Sequence, residues 1–199
     1  INMDMTVTAE RIPLKGETLK GEDIRYIPGG KGANQAVAMA KLGADVEMFG
    51  CVGDDEAGRS LIRNMEDMGV GTTHIKVAPG VNTGLAVITV GDHDNTIVVV
   101  AGANQACDTQ YLKENDHLFQ WCDYVLMQME IPKSAIAYAA GRARALGKTV
   151  ILNPAPAPDL IPAELLSCVD YLTPNETELM KLSGVTGDGM EAVRQGAKA

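Results

Sequence analysis

The feature that most constrains the fold is a repeated alternation of short apolar strands with helical patterns from residue 46 onward. The strand-like runs are Val46 to Val52, Asp123 to Met129, Thr149 to Leu152 and Val169 to Leu172. Short, continuous apolar strands are typical of a parallel sheet whose two faces are covered by helices. The alternation therefore predicts an α/β fold, with a doubly wound, mostly parallel sheet in three layers.

Two stretches depart from this alternation. Thr18 to Ile27 is an isolated extended run, and Gly84 to Val100 has the pattern of an antiparallel hairpin with its turn at Gly91 to Asn95. We expect residues of about 18–27 and 84–100 to form a small β-sheet lid over the carboxyl edge of the main sheet, where ligands bind in such folds. Residues 1–199 are expected to form one such domain.

Both ends of this domain are expected to be truncated. Ile1 opens directly into an alternating apolar run, and the helical pattern of residues 191–199 is not followed by a strand. A helix that crosses over between parallel strands is normally followed by the strand that it leads to.

Composition excludes several classes of function. The formal net charge of −9 argues against a nucleic-acid-binding surface. The apolar runs are of strand length, which argues against a membrane-spanning segment. The cysteines lie in apolar stretches without the spacing of a metal site, which predicts buried, reduced thiols in a cytoplasmic protein; they are Cys51, Cys107, Cys122 and Cys168.

The segment Gly29 to Ala36 is the most informative candidate site. Its glycines remove side chains where an extended segment turns into a helix, so a ligand can approach the backbone closely. Lys31 and Asn34 are three residues apart and share a face of the first helical turn, where they can bind hydroxyls of a small polar ligand. The P-loop pattern GxxxxGK[ST] is absent from the sequence. On these residues alone, a glycine-rich helix start with a solvated lysine is an equal alternative.

A second candidate segment begins at Thr173. Thr173 and Glu176 have the spacing of a capping box, with Pro174 at the first helical position. This prediction explains Glu176 by helix capping and leaves Glu178 without a capping role.

Several segments, in this order along the chain, resemble motifs of the ribokinase-like (PfkB) family of carbohydrate kinases. They are Asn2 to Asp4, Gly29 to Ala36 with Ala40 to Ala44 and Gly50 to Gly58, Met129 to Pro132, Asn153 to Ala157, and Thr173 to Glu178. The resemblance covers essentially the whole chain, and it implies the α/β fold with a β-lid.

The resemblance also implies roles for individual residues. The sugar ligands would be Asn2, Asp4, Gly30, Lys31, Gly32 and Asn34, with Glu130 opposite them. Ala86, Ile88 and Val99 of the hairpin would cover the apolar face of the sugar, although ordinary lid packing explains them equally well. The alternative for Asp4 is a turn-capping carboxylate, and for Glu130 a solvated acid at a helix start. Asn175 and Glu178 match the family's NxxE motif, which places the ATP phosphates and, indirectly, magnesium.

The activity that the resemblance implies is transfer of the γ-phosphoryl group of ATP to a sugar, with D-ribose and its 5-hydroxyl as the expected substrate. The alternatives are a kinase of fructose, a sugar acid or a nucleoside, and a sugar-binding module without catalytic activity. The expected cofactors are ATP, Mg²⁺ and K⁺, and the expected assembly is a homodimer through the lid. The catalytic aspartate, in a segment resembling DTxGAGD, and the K⁺ site are expected beyond Ala199. The chain alone is therefore predicted to be inactive.

Overall fold

The computed structural model describes residues 1–198, which form two compact units. The first unit is Ile1–Cys107, and the second begins at Asp108. The expectation of one domain over residues 1–199 stays a prediction.

The first unit contains six strands, two α-helices and one 3₁₀ helix. In chain order they are β1 (Asn2–Thr8), β2 (Asp23–Gly29), α1 (Lys31–Lys41), β3 (Cys51–Gly53), α2 (Glu56–Asp67), β4 (Lys76–Ala78), β5 (Gly84–Gly91), β6 (Asp94–Val100) and the 3₁₀ helix Gly102–Ala106.

Four of these strands form a mixed sheet in the order β2-β1-β5-β6. β1 is antiparallel to β2 and parallel to β5, while β5 and β6 form the predicted antiparallel hairpin. Asp92 and His93 have φ angles of 51° and 60° at its turn, which are typical of a two-residue turn that matches the right-handed twist of the strands.

The two predicted lid segments do not pair with each other, because β1 lies between β2 and β5. The first of these segments was also expected to begin at Thr18, which is wrong. Its ladder begins at Asp23, since Asp23 pairs with Thr8, the last residue of β1.

The predicted strand Val46 to Val52 is also shorter than expected. Only Glu47 makes a bridge, to Gly71, before β3 begins at Cys51 and pairs in parallel with β4. The ladder is interrupted because the partner segment turns between Thr72 and Ile75, where the Ile75 N–H donates to the Thr72 carbonyl.

The core of the first unit lies between β1 and the two helices. Met3 packs in one cluster with Ala33 and Ala36 of α1 and with Leu61 and Met65 of α2. Because side chains alternate along a strand, Asn2 and Asp4 belong to the opposite face of the sheet from Met3.

The second unit contains three strands and six helices among its described residues. They are α3 (Thr109–Glu114), α4 (His117–Trp121), β7 (Tyr124–Met127), α5 (Lys133–Ala145), β8 (Thr149–Leu152), α6 (Ala163–Leu166), β9 (Tyr171–Leu172), α7 (Glu176–Ser183) and α8 (Gly189–Gly196).

The three strands form a parallel sheet in the order β7-β8-β9, as the sequence pattern predicts. The inward face of α5 contains Ile136, Ala139 and Ala143, which recur at helical spacing and are all buried. Parallel strands place their carboxyl ends at one edge of the sheet, and ligands bind at that edge in α/β folds.

The burial predicted for the cysteines holds for two of them. Cys51 and Cys107 are buried, whereas Cys122 and Cys168 are half-buried. Partial burial raises the pKa of the Cys122 thiol, which keeps it protonated at neutral pH. No helix within residues 1–198 has the length and apolar character needed to cross a membrane.

Candidate functional site

A network of buried amides lies at the start of β1. Asn2 is only 3% exposed, and its Oδ1 accepts a hydrogen bond of 2.8 Å from Nδ2 of Asn104, which is 2% exposed. Asn104 also binds backbone groups of Ile1 and Ala101. Buried polar groups are normally paired, so this network fixes the Asn2 side chain in one orientation.

Glycines permit the close packing around Asn2 and Asp4. A Cβ built on Gly29 would overlap the Asp4 carboxylate, and one built on Gly30 would lie 2.6 Å from the Asn2 nitrogen. Gly30 also has a φ of 89°, which disfavours residues with a side chain. We call Asn2, Asp4, Gly29, Gly30 and Asn104 the polar corner.

The N-terminus of α1 adjoins this corner, because Gly30 is the N-cap residue of α1. Lys31 and Asn34 are exposed, and Gly32 is half-buried. The first turn of α1 contains no acidic residue, and a lysine near a helix N-terminus opposes the helix dipole. Helix stability therefore does not explain Lys31, and its role as a sugar ligand stays a prediction.

The sheet register places the predicted lid residues on the same face as the polar corner. Asp4 pairs with Ile27 on one side and with Ala86 on the other, and Ala86 pairs with Val99. Directly paired residues point to the same face, so these four side chains form one row across the sheet. Ile88 lies two residues beyond Ala86 and shares that face.

A second polar network, which sequence reasoning missed, supports the segment that leads into β5. The Asp55 carboxylate accepts hydrogen bonds from Thr83 N at 2.7 Å, Thr83 Oγ1 at 2.6 Å and Gly58 N at 2.8 Å. Burial alone would raise the pKa of Asp55, but the hydrogen bonds from Thr83 and Gly58 outweigh it, and the pKa is lowered. Asp55 thereby fixes the residue that precedes Gly84.

In the second unit, hydrogen bonds connect the segments that follow the carboxyl ends of the three parallel strands. The Asn153 side chain donates to the Thr173 carbonyl at 2.6 Å, and Met129 N donates to the Ala155 carbonyl at 3.0 Å. Glu130 is half-buried and follows β7 at this edge. Lys181 of α7 donates to the Ala157 carbonyl at 2.7 Å.

The capping box at the start of α7 differs from the predicted one. Asn175 is the N-cap residue, its side chain accepts from Glu178 N at 2.8 Å, and Glu178 accepts from Asn175 N at 2.9 Å. The prediction of a box from Thr173 to Glu176, with Pro174 in the helix, is wrong. Thr173 N donates to the Leu152 carbonyl, so Thr173 still belongs to the sheet edge and the helix starts later.

The magnesium role expected for Glu178 competes with its role in this capping box. Both Asn175 and Glu178 have a complete structural explanation as a capping box. One carboxylate oxygen of Glu178 is occupied by Asn175 N, and Mg²⁺ in proteins keeps several water ligands. An indirect contact of Glu178 with Mg²⁺ and the phosphates stays a prediction. Among residues 1–198, no three His, Cys, Asp or Glu side chains form a cluster for a metal ion.

The structure thus brings together one part of the predicted site within each unit. Asn2, Asp4 and Gly30 meet at the polar corner, with Lys31, Gly32 and Asn34 in the adjoining turn. Glu130, Asn175 and Glu178 belong to the second unit, and their place in a shared site stays a prediction. The missed residues are Asn104, Asp55 and Thr83.

The fold is α/β, with a parallel sheet in one unit and a mixed sheet carrying a hairpin in the other. The model of the pfkB family carbohydrate kinases matches residues 1–199. The ribokinase of Haemophilus influenzae is 40% identical over 196 residues, which are 98% of this chain and 64% of that protein. The ribokinase of Bacillus subtilis is 41% identical over 177 residues, which are 89% of this chain and 60% of that protein.

A solved structure gives the same result for the fold. The ribokinase of Arabidopsis thaliana, complexed with ribose and ATP, has a TM-score of 0.89 and 34% identity, and the match covers 99% of this chain and 64% of that one. The chain belongs to the pfkB family of carbohydrate kinases, and the predicted α/β fold is confirmed. It spans 60% to 64% of the length of the two curated relatives.

Proposed function

We propose that the protein carrying this chain phosphorylates D-ribose at its 5-hydroxyl with ATP. The observation that carries the proposal is the polar corner, where Asn2 and Asp4 meet the glycine turn at Gly29 and Gly30. The names of the ribokinase relatives, and the ribose and ATP bound to one of them, support this choice of substrates.

The polar corner supplies the groups that a sugar requires. The Asp4 carboxylate accepts hydrogen bonds from hydroxyl groups, and the Asn2 amide can both donate and accept. Lys31 and Asn34 add donors from the first turn of α1, and we assign the same role to the backbone at Gly30 and Gly32. Ala86, Ile88 and Val99 provide an apolar surface on the same face of the sheet. Glu130 is proposed as a further sugar ligand.

The nucleotide is assigned to the second unit. Asn175 follows β9 at the carboxyl edge of the parallel sheet, where ligands bind in α/β folds. We assign Asn175 to the ATP phosphates and Glu178 to Mg²⁺ through water. When bound, Mg²⁺ would neutralise charge on the transferred phosphoryl group. K⁺ activation is also proposed, at a site outside residues 1–199.

The sequence of residues 1–199 contains no segment resembling DTxGAGD. We propose that the base which takes the hydroxyl proton comes from such a segment elsewhere in the complete protein. Positioning and electrostatic stabilisation supply nearly all of the catalysis in phosphoryl transfer. A polypeptide limited to residues 1–199 is therefore proposed to transfer no phosphoryl group.

The proposed assembly is a homodimer through the four-stranded sheet. Its edge strands β2 and β6 expose large apolar side chains, including Tyr26 at 62% and Val98 at 64%. Exposed edges with apolar side chains favour pairing with another chain. Light scattering of the complete protein with ribose should give a dimer, and a strict monomer at micromolar concentration would contradict this part of the proposal.

The direct test is a coupled ADP-release assay on the complete protein with ATP, Mg²⁺ and K⁺. Ribose should give a higher kcat/KM than fructose, a sugar acid or a nucleoside. A higher kcat/KM for one of those compounds would make it the substrate in place of ribose. No turnover with ribose or any of those compounds would favour a sugar-binding module.

A further inference from the structure

Asn104 is a buried amide that the proposed sugar site does not include. It lies on the 3₁₀ helix Gly102–Ala106, more than a hundred residues along the chain from Asn2, and it is 2% exposed. Its side chain nevertheless contacts both the backbone at Ile1 and the side chain of Asn2.

Backbone groups determine which way the Asn104 amide is turned. Oδ1 of Asn104 faces the Ile1 nitrogen at 2.9 Å, and this nitrogen can only donate, both as the terminal ammonium of residues 1–199 and as a peptide N–H in a longer chain. Nδ2 of Asn104 faces the carbonyl oxygens of Ile1 and Ala101, each at 3.0 Å, and these oxygens can only accept. Since Asn2 Oδ1 is a third acceptor for its two hydrogens, two of the three contacts share one hydrogen. A flip of the amide would place like groups against each other in all three contacts.

The orientation of Asn104 then determines the orientation of Asn2. Nδ2 of Asn104 donates to Oδ1 of Asn2 at 2.8 Å, so the oxygen of Asn2 is used within the protein. Nδ2 of Asn2 makes no hydrogen bond within residues 1–198. Asp4, two residues along on the same face, offers a carboxylate that can only accept.

We propose that Asn104 is a positioning residue that makes Asn2 a hydrogen-bond donor to the sugar. This inference rests on the proposed sugar site. Asn2 then donates to a sugar oxygen while Asp4 accepts from a sugar hydroxyl, so the pair recognises a ligand that presents both an acceptor and a donor.

Gly84 provides the space that this arrangement needs. Asn2 pairs with Gly84 in the register of β1 and β5. A Cβ at Gly84 would overlap both Asn2 Oδ1 and Asn104 Nδ2, and it would lie 2.8 Å from the Ile1 carbonyl. The contact between the two amides therefore requires glycine at this position.

The first test is Asn104→Asp in the complete protein, a change that keeps the shape of the side chain and replaces its donor with an acceptor. KM for the preferred sugar should rise by about 10- to 100-fold, because the Asn2 amide loses its fixed orientation. The KM for ATP should change by less than about 2-fold. Gln105→Glu, an exposed neighbour on the same 3₁₀ helix, is the matched control and should leave both values unchanged. An unchanged sugar KM in Asn104→Asp would overturn the proposal.

A double-mutant cycle tests whether Asn104 acts through Asn2. In an Asn2→Ala background, Asn104→Asp should raise the sugar KM by less than about 2-fold further, since the residue it positions is gone. If the increase in sugar KM of the double variant equals the product of the increases in the two single variants, Asn104 does not act through Asn2 and the proposal is wrong.

A measurement on the wild-type protein covers the case in which Asn104→Asp does not fold, or in which no sugar is a substrate. Neutron diffraction on the free protein locates the side-chain hydrogens directly, and it should show Asn2 Oδ1 facing Asn104 Nδ2 and both hydrogens of Asn2 Nδ2 away from every protein acceptor. A hydrogen of Asn2 Nδ2 bonded to a protein acceptor would refute the inference. Failure of the proposed function would appear separately, as absent turnover with every sugar.

Discussion

The polar corner and the start of α7 both match family motifs, but the structure supports them differently. Asn2 is buried, and its partner Asn104 lies more than a hundred residues away. Asn175 and Glu178 are not buried, and each is explained by the other at a distance of three residues. A buried polar network determines which hydrogen-bond donors and acceptors its side chains present to a ligand. A capping box, in contrast, forms at this helix start whether or not a ligand binds there.

The structure therefore supports a ligand-binding role more strongly for the residues of the polar corner than for those at the start of α7. At the polar corner, glycines without room for a side chain and a lysine that opposes the helix dipole add to the case for a ligand. The motif at the start of α7 matches the family as well as the motifs of the polar corner do, but helix capping explains Asn175 and Glu178 completely. A nucleotide role for these two residues therefore depends on the family resemblance.

The largest effect on stability is expected from Gly84→Ala. The added Cβ would overlap Asn2 and Asn104 inside the core, and overpacking of this kind costs about 2–3 kcal/mol. Gly141→Ala is the matched control, because a Cβ there meets nothing within 4 Å and Gly141 lies in α5. The control should gain up to about 1 kcal/mol from helix propensity. Urea unfolding of both variants measures this, and equal stabilities would contradict the account of the corner.

A smaller effect is expected from Asp55→Ala, which removes the N-cap of α2 and the partner of Thr83. The loss should be about 1–2 kcal/mol at pH 7. The folded-state pKa of Asp55 is lowered from the usual 3.8, so its ionised form stabilises the fold above that pH. This contribution is lost as the pH falls through 3.8 toward the lower folded-state value.

Asp55→Asn separates the charge of Asp55 from its shape. The stability difference between wild type and Asp55→Asn should shrink as the pH is lowered from 6 to 3, because only the wild-type side chain is titrated there. A difference that stays constant or grows in acid would show that the carboxylate charge is not what holds Thr83.

The smallest effects are expected at the start of α7. Asn175→Ala should cost about 1 kcal/mol, whereas Thr173→Ala should cost less, since the Thr173 side chain is not the cap. Glu178→Gln retains an acceptor for Asn175 N and removes the charge. If Glu178 acts on magnesium, this variant should raise the KM for MgATP while stability stays within about 0.5 kcal/mol. Unchanged kinetics would leave Glu178 as a capping residue only.

The sequence predicts those parts of the molecule that depend on local pattern. The hairpin of β5 and β6, the parallel strand Thr149–Leu152 and the buried face of α5 follow from periodicity and turn residues. The resemblance also identifies Asn2, Asp4 and Gly30, which the fold brings to one corner.

The rest depends on contacts between distant segments. The start of α7 is delayed because Thr173 is held by Leu152 of β8, a contact that the local pattern Thr-Pro-Asn-Glu does not contain. Asn104 was missed because its partner Asn2 is far away in sequence. The segment Ala101 to Ala106 contains two adjacent amides, Asn104 and Gln105, and the local pattern does not distinguish the buried one from the exposed one.

The central claim is that the polar corner binds the sugar, and calorimetric titration of ribose into the complete protein tests it most directly. Asp4→Ala should weaken ribose binding by about 10- to 100-fold, because sugar hydroxyls lose their charged acceptor. Asp67→Ala, at the exposed end of α2, is the matched control and should bind ribose like the wild type. Equal ribose affinity in Asp4→Ala and wild type, with both proteins folded, would contradict the assignment of the sugar site.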